Sequence, residues 1–165
     1  ADEYYSSSTA YNDFYPRGRE PEDPNITALL DPGTVKWQDL VTPGTALPTP
    51  WEKAEYDLND GEYQKERAQL NQAIADSVRS GAPEESVAKL KAKEEQHAAD
   101  HAVWAQKYLA ESAWAGKVGA FEGAGYSSQG LYRPTLDCLM FSRRVQPFCP
   151  VCERAVEAMV LSYTE

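Results

Sequence analysis

Three small sets of side chains in this 165-residue chain have the types and spacing to do chemistry. His97-Ala98-Ala99-Asp100-His101 puts two imidazoles four residues apart, so on a helix they face one way and could share a metal ion. A hydrolytic zinc helix also needs a glutamate after its first histidine. Ala98 stands there and cannot move a proton, so the pair reads first as part of a helix seam and second as a noncatalytic metal site. Cys149-Pro150-Val151-Cys152 has the C-x-x-C form of a redox pair, with Cys138 as a third cysteine. No strand-helix-strand pattern precedes it and no second C-x-x-C completes a zinc ribbon. The third set, Glu122, Tyr126, Tyr132 and Arg133, surrounds the glycine-rich stretch 121–130 and could wall a substrate groove or belong to a structural turn. No G-K-S or G-K-T follows those glycines, which argues against a nucleotide site. Asn25-Ile26-Thr27 formally matches a glycosylation acceptor.

The elements that would position these residues are mainly helices and loops. Residues 1–58 carry seven prolines and eight aromatic residues, which predicts an ordered loop region with one short helix near Val35 to Leu40. Asn59 with Glu62 reads as a capping box opening a helix that runs to Arg79, with an apolar stripe at Tyr63, Leu70, Ile74 and Val78. Ser80-Gly81 supplies a stop, and Pro83 with Glu84 and Glu85 starts a second helix running to about Ala113. Its seam is Val87, Leu90, Glu94, His97, His101, Trp104 and Tyr108. Two long helices joined by a short turn predict an antiparallel hairpin over 59–115, resembling a short coiled coil. Glycines 116, 119, 123, 125 and 130 predict a tight loop where backbone approaches something closely. A terminal helix from Cys149 or Val151 to Tyr163 closes the chain.

Composition narrows the function classes. A formal charge of −10, from 26 acidic against 16 basic residues, argues against nucleic-acid partners, which require basic patches. No apolar run is long enough to span a bilayer. The mean hydropathy of −0.61 agrees with long irregular loops.

Ala1-Asp2-Glu3-Tyr4-Tyr5, Asp137-Cys138-Leu139-Met140-Phe141 and Phe148-Cys149-Pro150-Val151-Cys152-Glu153-Arg154-Ala155 resemble, in order and spacing, the IgA peptidase family of secreted bacterial zinc metallopeptidases. Ser8 to Arg17, Thr42 to Thr45, Thr49 to Glu52 and Gly119 to Tyr126 are similar to it as well. The resemblance implies the C-terminal part of an α+β metzincin-like domain, mainly α with long ordered loops in these residues and carrying the helical hairpin as an insertion. It divides the chain into a post-helix segment at 1–58, the hairpin at 59–115, and at 116–165 the glycine-rich loop, methionine turn and last helix. In this family an H-E-x-x-H helix runs into a Leu-Ala-Asp-Glu-Tyr segment, so two histidine ligands and the catalytic glutamate would lie upstream of Ala1. Asp2 would be the third zinc ligand, with Glu3 as the alternative, and Met140 the floor beneath the metal. For a secreted protein, a disulfide from Cys138 to Cys149 or Cys152 would tie the methionine turn to the last helix, with reduced thiols or a metal or redox role as the other readings. The resemblance implies a protein or peptide substrate, with immunoglobulin A suggested by the family name, and secretion or cell-surface display in a bacterium. A different class, a noncatalytic interaction module working through the acidic hairpin, is the competing reading.

Overall fold

The computed structural model describes residues 15–141 and 147–163. Among them the elements are a short 3-10 helix (Gln38–Leu40), α1 (Lys53–Arg79), α2 (Glu84–Glu111), β1 (Phe121–Ala124), β2 (Ser127–Arg133) and α3 (Pro150–Ser162). The described residues are therefore mainly helical, with one two-stranded antiparallel sheet. The chain forms two compact units, one of Ala1–Lys53 with Glu111–Glu165 and one of Ala54–Ala110.

The second unit is a helical hairpin. Its seam runs through Tyr56 stacked on Trp104 at 5.4 Å, Tyr63 stacked on His101 at 3.8 Å and Arg67 paired with Glu94 at 2.9 Å, so the two helices run antiparallel. The turn ends α1 in a Schellman cap: Ala82 N–H donates to Ser77 O, Gly81 N–H donates to Val78 O, and Gly81 adopts φ +68°. The N-terminus differs from the expected one. α1 begins at Lys53, and Asn59 lies inside the helix, its side-chain amide donating to the carbonyl of Glu55. The helix continues through Asn59-Asp60-Gly61 because Tyr56 packs against Trp104 and Tyr108, and buried Asp60 meets His101 Nε2 at 3.3 Å. Tertiary contacts of this kind outweigh the weak helix propensity of the three residues.

In the first unit, residues 15–53 are laced to the segment after α2 by backbone bonds. Thr49 N–H donates to Ala120 O, Thr27 and Tyr132 exchange both backbone bonds, and Thr42 N–H donates to Val118 O. The buried Trp37 donates its indole N–H to Gly119 O at 2.7 Å. Around it pack Val35, Val118, Ala120, Phe141, Val151 and the three cysteines. Residues 15–52 form loop with one short helix at Gln38–Leu40, whereas 53–58, expected in the same loop region, open α1, and 1–14 lie outside the described residues. The glycine-rich stretch, expected as a loop, is instead a hairpin of strands, closed by Gly125 and Tyr126, both at positive φ as a type I′ turn requires.

Gly119 is the close backbone approach that the glycine density predicted. A Cβ there would stand 2.3 Å from Thr49 Oγ1, which itself accepts Ala120 N–H and donates to Ala46 O. Gly119→Ala is therefore expected to cost about 1–3 kcal/mol by overpacking. Gly61→Ala, in a helix with open space around it, is expected to stabilise by up to about 1 kcal/mol. Urea midpoints that moved the same way in both variants would refute this reading.

Candidate functional site

The sheet places the candidate groove residues unequally. The register sets Phe121 opposite Arg133 and Glu122 opposite Tyr132, then shifts between Glu122 and Ala124. Side chains bond to the backbone around this irregularity. Glu122 Oε1 accepts Gly130 N–H at 3.0 Å, while the Arg133 guanidinium donates to the carbonyls of Glu122, Gly123 and Leu136. Arg133 is 3% exposed, lying against the rings of Trp51 and Phe141, so it braces the hairpin and does not wall a groove. Tyr126 is at the turn tip, exposed, and also outside the groove. Glu122 and Tyr132 do line one, together with Pro48, Thr49, Pro50, Trp51 and Lys53. Its volume of about 230 Å³ falls below the roughly 300–1,000 Å³ of small-molecule pockets, so it suits a single side chain of a longer ligand. Burial holds the Lys53 ammonium below the ordinary lysine range, with Glu122 opposing that shift. Trp51 and Lys53 are absent from the sequence reading of this groove. The Thr49–Phe121 bridge that brings them there joins segments about 70 residues apart and leaves no local signal.

After β2 the chain turns sharply. Phe141 N–H donates to Cys138 O at 2.8 Å, placing Leu139 and Met140 at the centre of a turn. Met140 is 39% exposed and so is not packed into the core. Cys149 occupies the N-cap position of α3 and Cys152 lies in its first turn. Cys138, Cys149 and Cys152 are all buried, and their sulfurs lie within 4.8 Å of one another. The expected disulfide from Cys138 to Cys149 or Cys152 is not formed, and all three are free thiols. The sulfurs are close, but none is bonded to another. Hydrogen bonds from Cys138 and Cys152 hold the Cys149 thiol well below the ordinary range, while Cys138 is pushed up by its contact with Cys149 and Cys152 by its contact with Cys138. Cys149 stands at the N-cap of α3, beside the positive end of that helix.

His97 and His101 stay in the helical hairpin. Both rings lie against Tyr63, and their polar neighbours are Glu66 at 3.7 Å from His97 and Asp60 at 3.3 Å from His101. Asp2 and Glu3, the proposed zinc ligands, lie outside the described residues. Among the described residues, the cysteine cluster is the metal-capable group of three or more side chains. It does not fit a peptidase zinc, which must keep one coordination position open to substrate, because all three cysteines are buried.

The model of one protein family, IgA Peptidase M64, matches residues 1–160. The chain belongs to that family. No curated protein matches it. Membership of the IgA Peptidase M64 family makes this a relative of proteases, for which the substrate is a protein or peptide. No helix among the described residues is long and apolar enough to cross a membrane.

Proposed function

We propose that this chain is the C-terminal part of a zinc-dependent endopeptidase with an α+β metzincin-like domain. The carrying observation is the family match over residues 1–160. Support comes from the Cys138–Phe141 turn, which places Met140 shortly before α3, the order a methionine turn and final helix would have. The metal would be held by two histidines outside these residues and by Asp2, with Glu3 as the alternative, and Met140 would lie beneath it. When bound, zinc supplies Lewis-acid chemistry to the hydrolysis of a peptide bond. The groove formed by Trp51, Lys53, Glu122 and Tyr132 would receive one side chain of the substrate, with the apolar Trp51 and Tyr132 rings as its walls and the Lys53 and Glu122 charges for orientation. The hairpin of residues 54–110 would be an insertion, and the whole enzyme a secreted or cell-surface protein of a bacterium. Immunoglobulin is one candidate substrate.

The sequence contains no H-E-x-x-H, and its two histidines are engaged in the hairpin. The 165 residues alone are therefore expected to cleave neither casein nor immunoglobulin, whereas the same chain extended upstream through an H-E-x-x-H helix should do so. A chelator should abolish that activity and added zinc should restore it. Cleavage by the 165 residues alone would sink the assignment.

A further inference from the structure

Every cysteine of this chain converges on one buried point. Cys138 arrives from the turn after β2, while Cys149 and Cys152 come from the cap and first turn of α3. Isolated buried cysteines pack as small hydrophobes against separate apolar neighbours. Here the three sulfurs face one another, all within 4.8 Å. Three sulfurs sharing one zinc ion at about 2.3 Å stand roughly 3.8–4.0 Å apart, so small rotations would bring these onto a common ion. A disulfide would use two of them and leave the third buried without a partner. A metal ion uses all three.

The surroundings suit a thiolate cluster. Backbone N–H of Cys149 donates to Cys138 Sγ at 3.1 Å, and Cys149 stands at the N-cap of α3, beside the positive end of that helix. Three thiolates with a divalent ion carry one net negative charge, which that donor and the helix end offset. The remaining neighbours include Trp37, Val118, Ala120, Phe141 and Val151, which close the site to solvent. Burial shuts any remaining coordination position off from substrate, and the site would act as a clamp between the methionine turn and α3.

We propose that Cys138, Cys149 and Cys152 form a structural site for a thiophilic d10 cation, Zn(II) or Cu(I). The site lies within the 165 residues and needs no upstream helix, so its test stands apart from that of peptidase activity. Binding releases the thiol protons to solvent, and affinity therefore falls with falling pH.

The 165-residue chain, reduced and stripped of metal without oxygen, is titrated with Zn(II) and separately with Cu(I) against competing chelators. One equivalent of at least one ion is expected to bind, and Co(II) in its place should show thiolate-to-metal charge transfer. Bound ion should also protect all three cysteines of the unmodified chain from alkylation, a readout that survives if serine variants fail to fold. Cys138→Ser, Cys149→Ser and Cys152→Ser should each weaken binding by at least about 100-fold. A His97→Ala/His101→Ala variant should bind as the parent does. Preference for Zn(II) or for Cu(I) identifies the ion, and either upholds the site. A disulfide with one alkylatable thiol in protein purified without reductant, and no metal uptake after reduction, would overturn it. Binding that survives the serine variants and vanishes with the histidines would overturn it equally.

Discussion

Asp2→Ala, made in a protein that joins this chain to an upstream H-E-x-x-H helix, is expected to lower kcat/KM by at least about 1,000-fold and to weaken zinc binding. The residue would supply both charge and a coordinating oxygen, and members of a catalytic set that act as a unit cannot be removed singly at small cost. The hairpin of residues 54–110 should keep its helicity in this variant, because its seam is built from its own side chains. Glu3→Ala should do much less. Met140→Leu nearly preserves volume, and with a side chain already 39% exposed it should cost little stability and only part of the activity. Zinc titration against the parent separates the readings. Unchanged affinity in Asp2→Ala with a large loss in Glu3→Ala transfers the ligand role to Glu3, and unchanged affinity in both leaves the segment a structural turn.

The second large effect is expected at Arg133. Its guanidinium serves three carbonyls, those of Glu122, Gly123 and Leu136, at a place where the strand register shifts. Leaving a buried acceptor unpaired costs about 1–3 kcal/mol, partly offset here because a buried charge leaves with the side chain. Arg133→Met should therefore destabilise by about 2–4 kcal/mol, read as a lower urea midpoint at unchanged slope. Arg133→Lys keeps the charge but loses the planar fork that reaches both sides, so it should fall between parent and Met. Glu122→Gln retains an acceptor for Gly130 N–H and should cost less than about 1 kcal/mol. Equal stability of all three variants would mean that the hairpin does not depend on this brace.

Sequence reasoning reached the features that rest on local chemistry. Ser80-Gly81 is the helix stop because a left-handed residue is needed there, and the seam residues His97, His101, Trp104 and Tyr108 do meet α1 as their three and four spacing implies. The glycine-rich stretch was legible as a place of close approach, and Gly119 against Thr49 is that approach. The strands were not legible. Phe121–Ala124 is only four residues long, Ser127–Arg133 lacks a regular apolar alternation, and their outer partners Thr27 and Thr49 lie far back in the chain. Arg133 reads from the sequence as a candidate groove residue because nothing local says that its guanidinium is spent on the carbonyls of Glu122, Gly123 and Leu136. Tyr56 could have been found: it stands seven residues before Tyr63, in step with the stripe, but the turn-forming run Asn59-Asp60-Gly61 obscured the continuity.

The hydrogen bond from Ser112 Oγ to Glu52 Oε2, at 3.0 Å, joins the two points where the chain leaves the first unit and returns to it. Between them lies the helical hairpin, whose seam pairs Arg67 with Glu94, 27 residues apart, and Tyr56 with Trp104, 48 apart. The first unit, by contrast, depends on pairings such as Trp37 with Gly119 and Thr49 with Ala120, more than 70 residues apart. Closing a flexible loop of about 60 residues costs about 3–4 kcal/mol of chain entropy on logarithmic scaling. A hairpin already zipped shortens that loop to almost nothing before the first of these pairings is made. Helices that zip first would act as a splint during folding, and how well their seam zips would bear on the speed with which the remainder of the chain finds its partners.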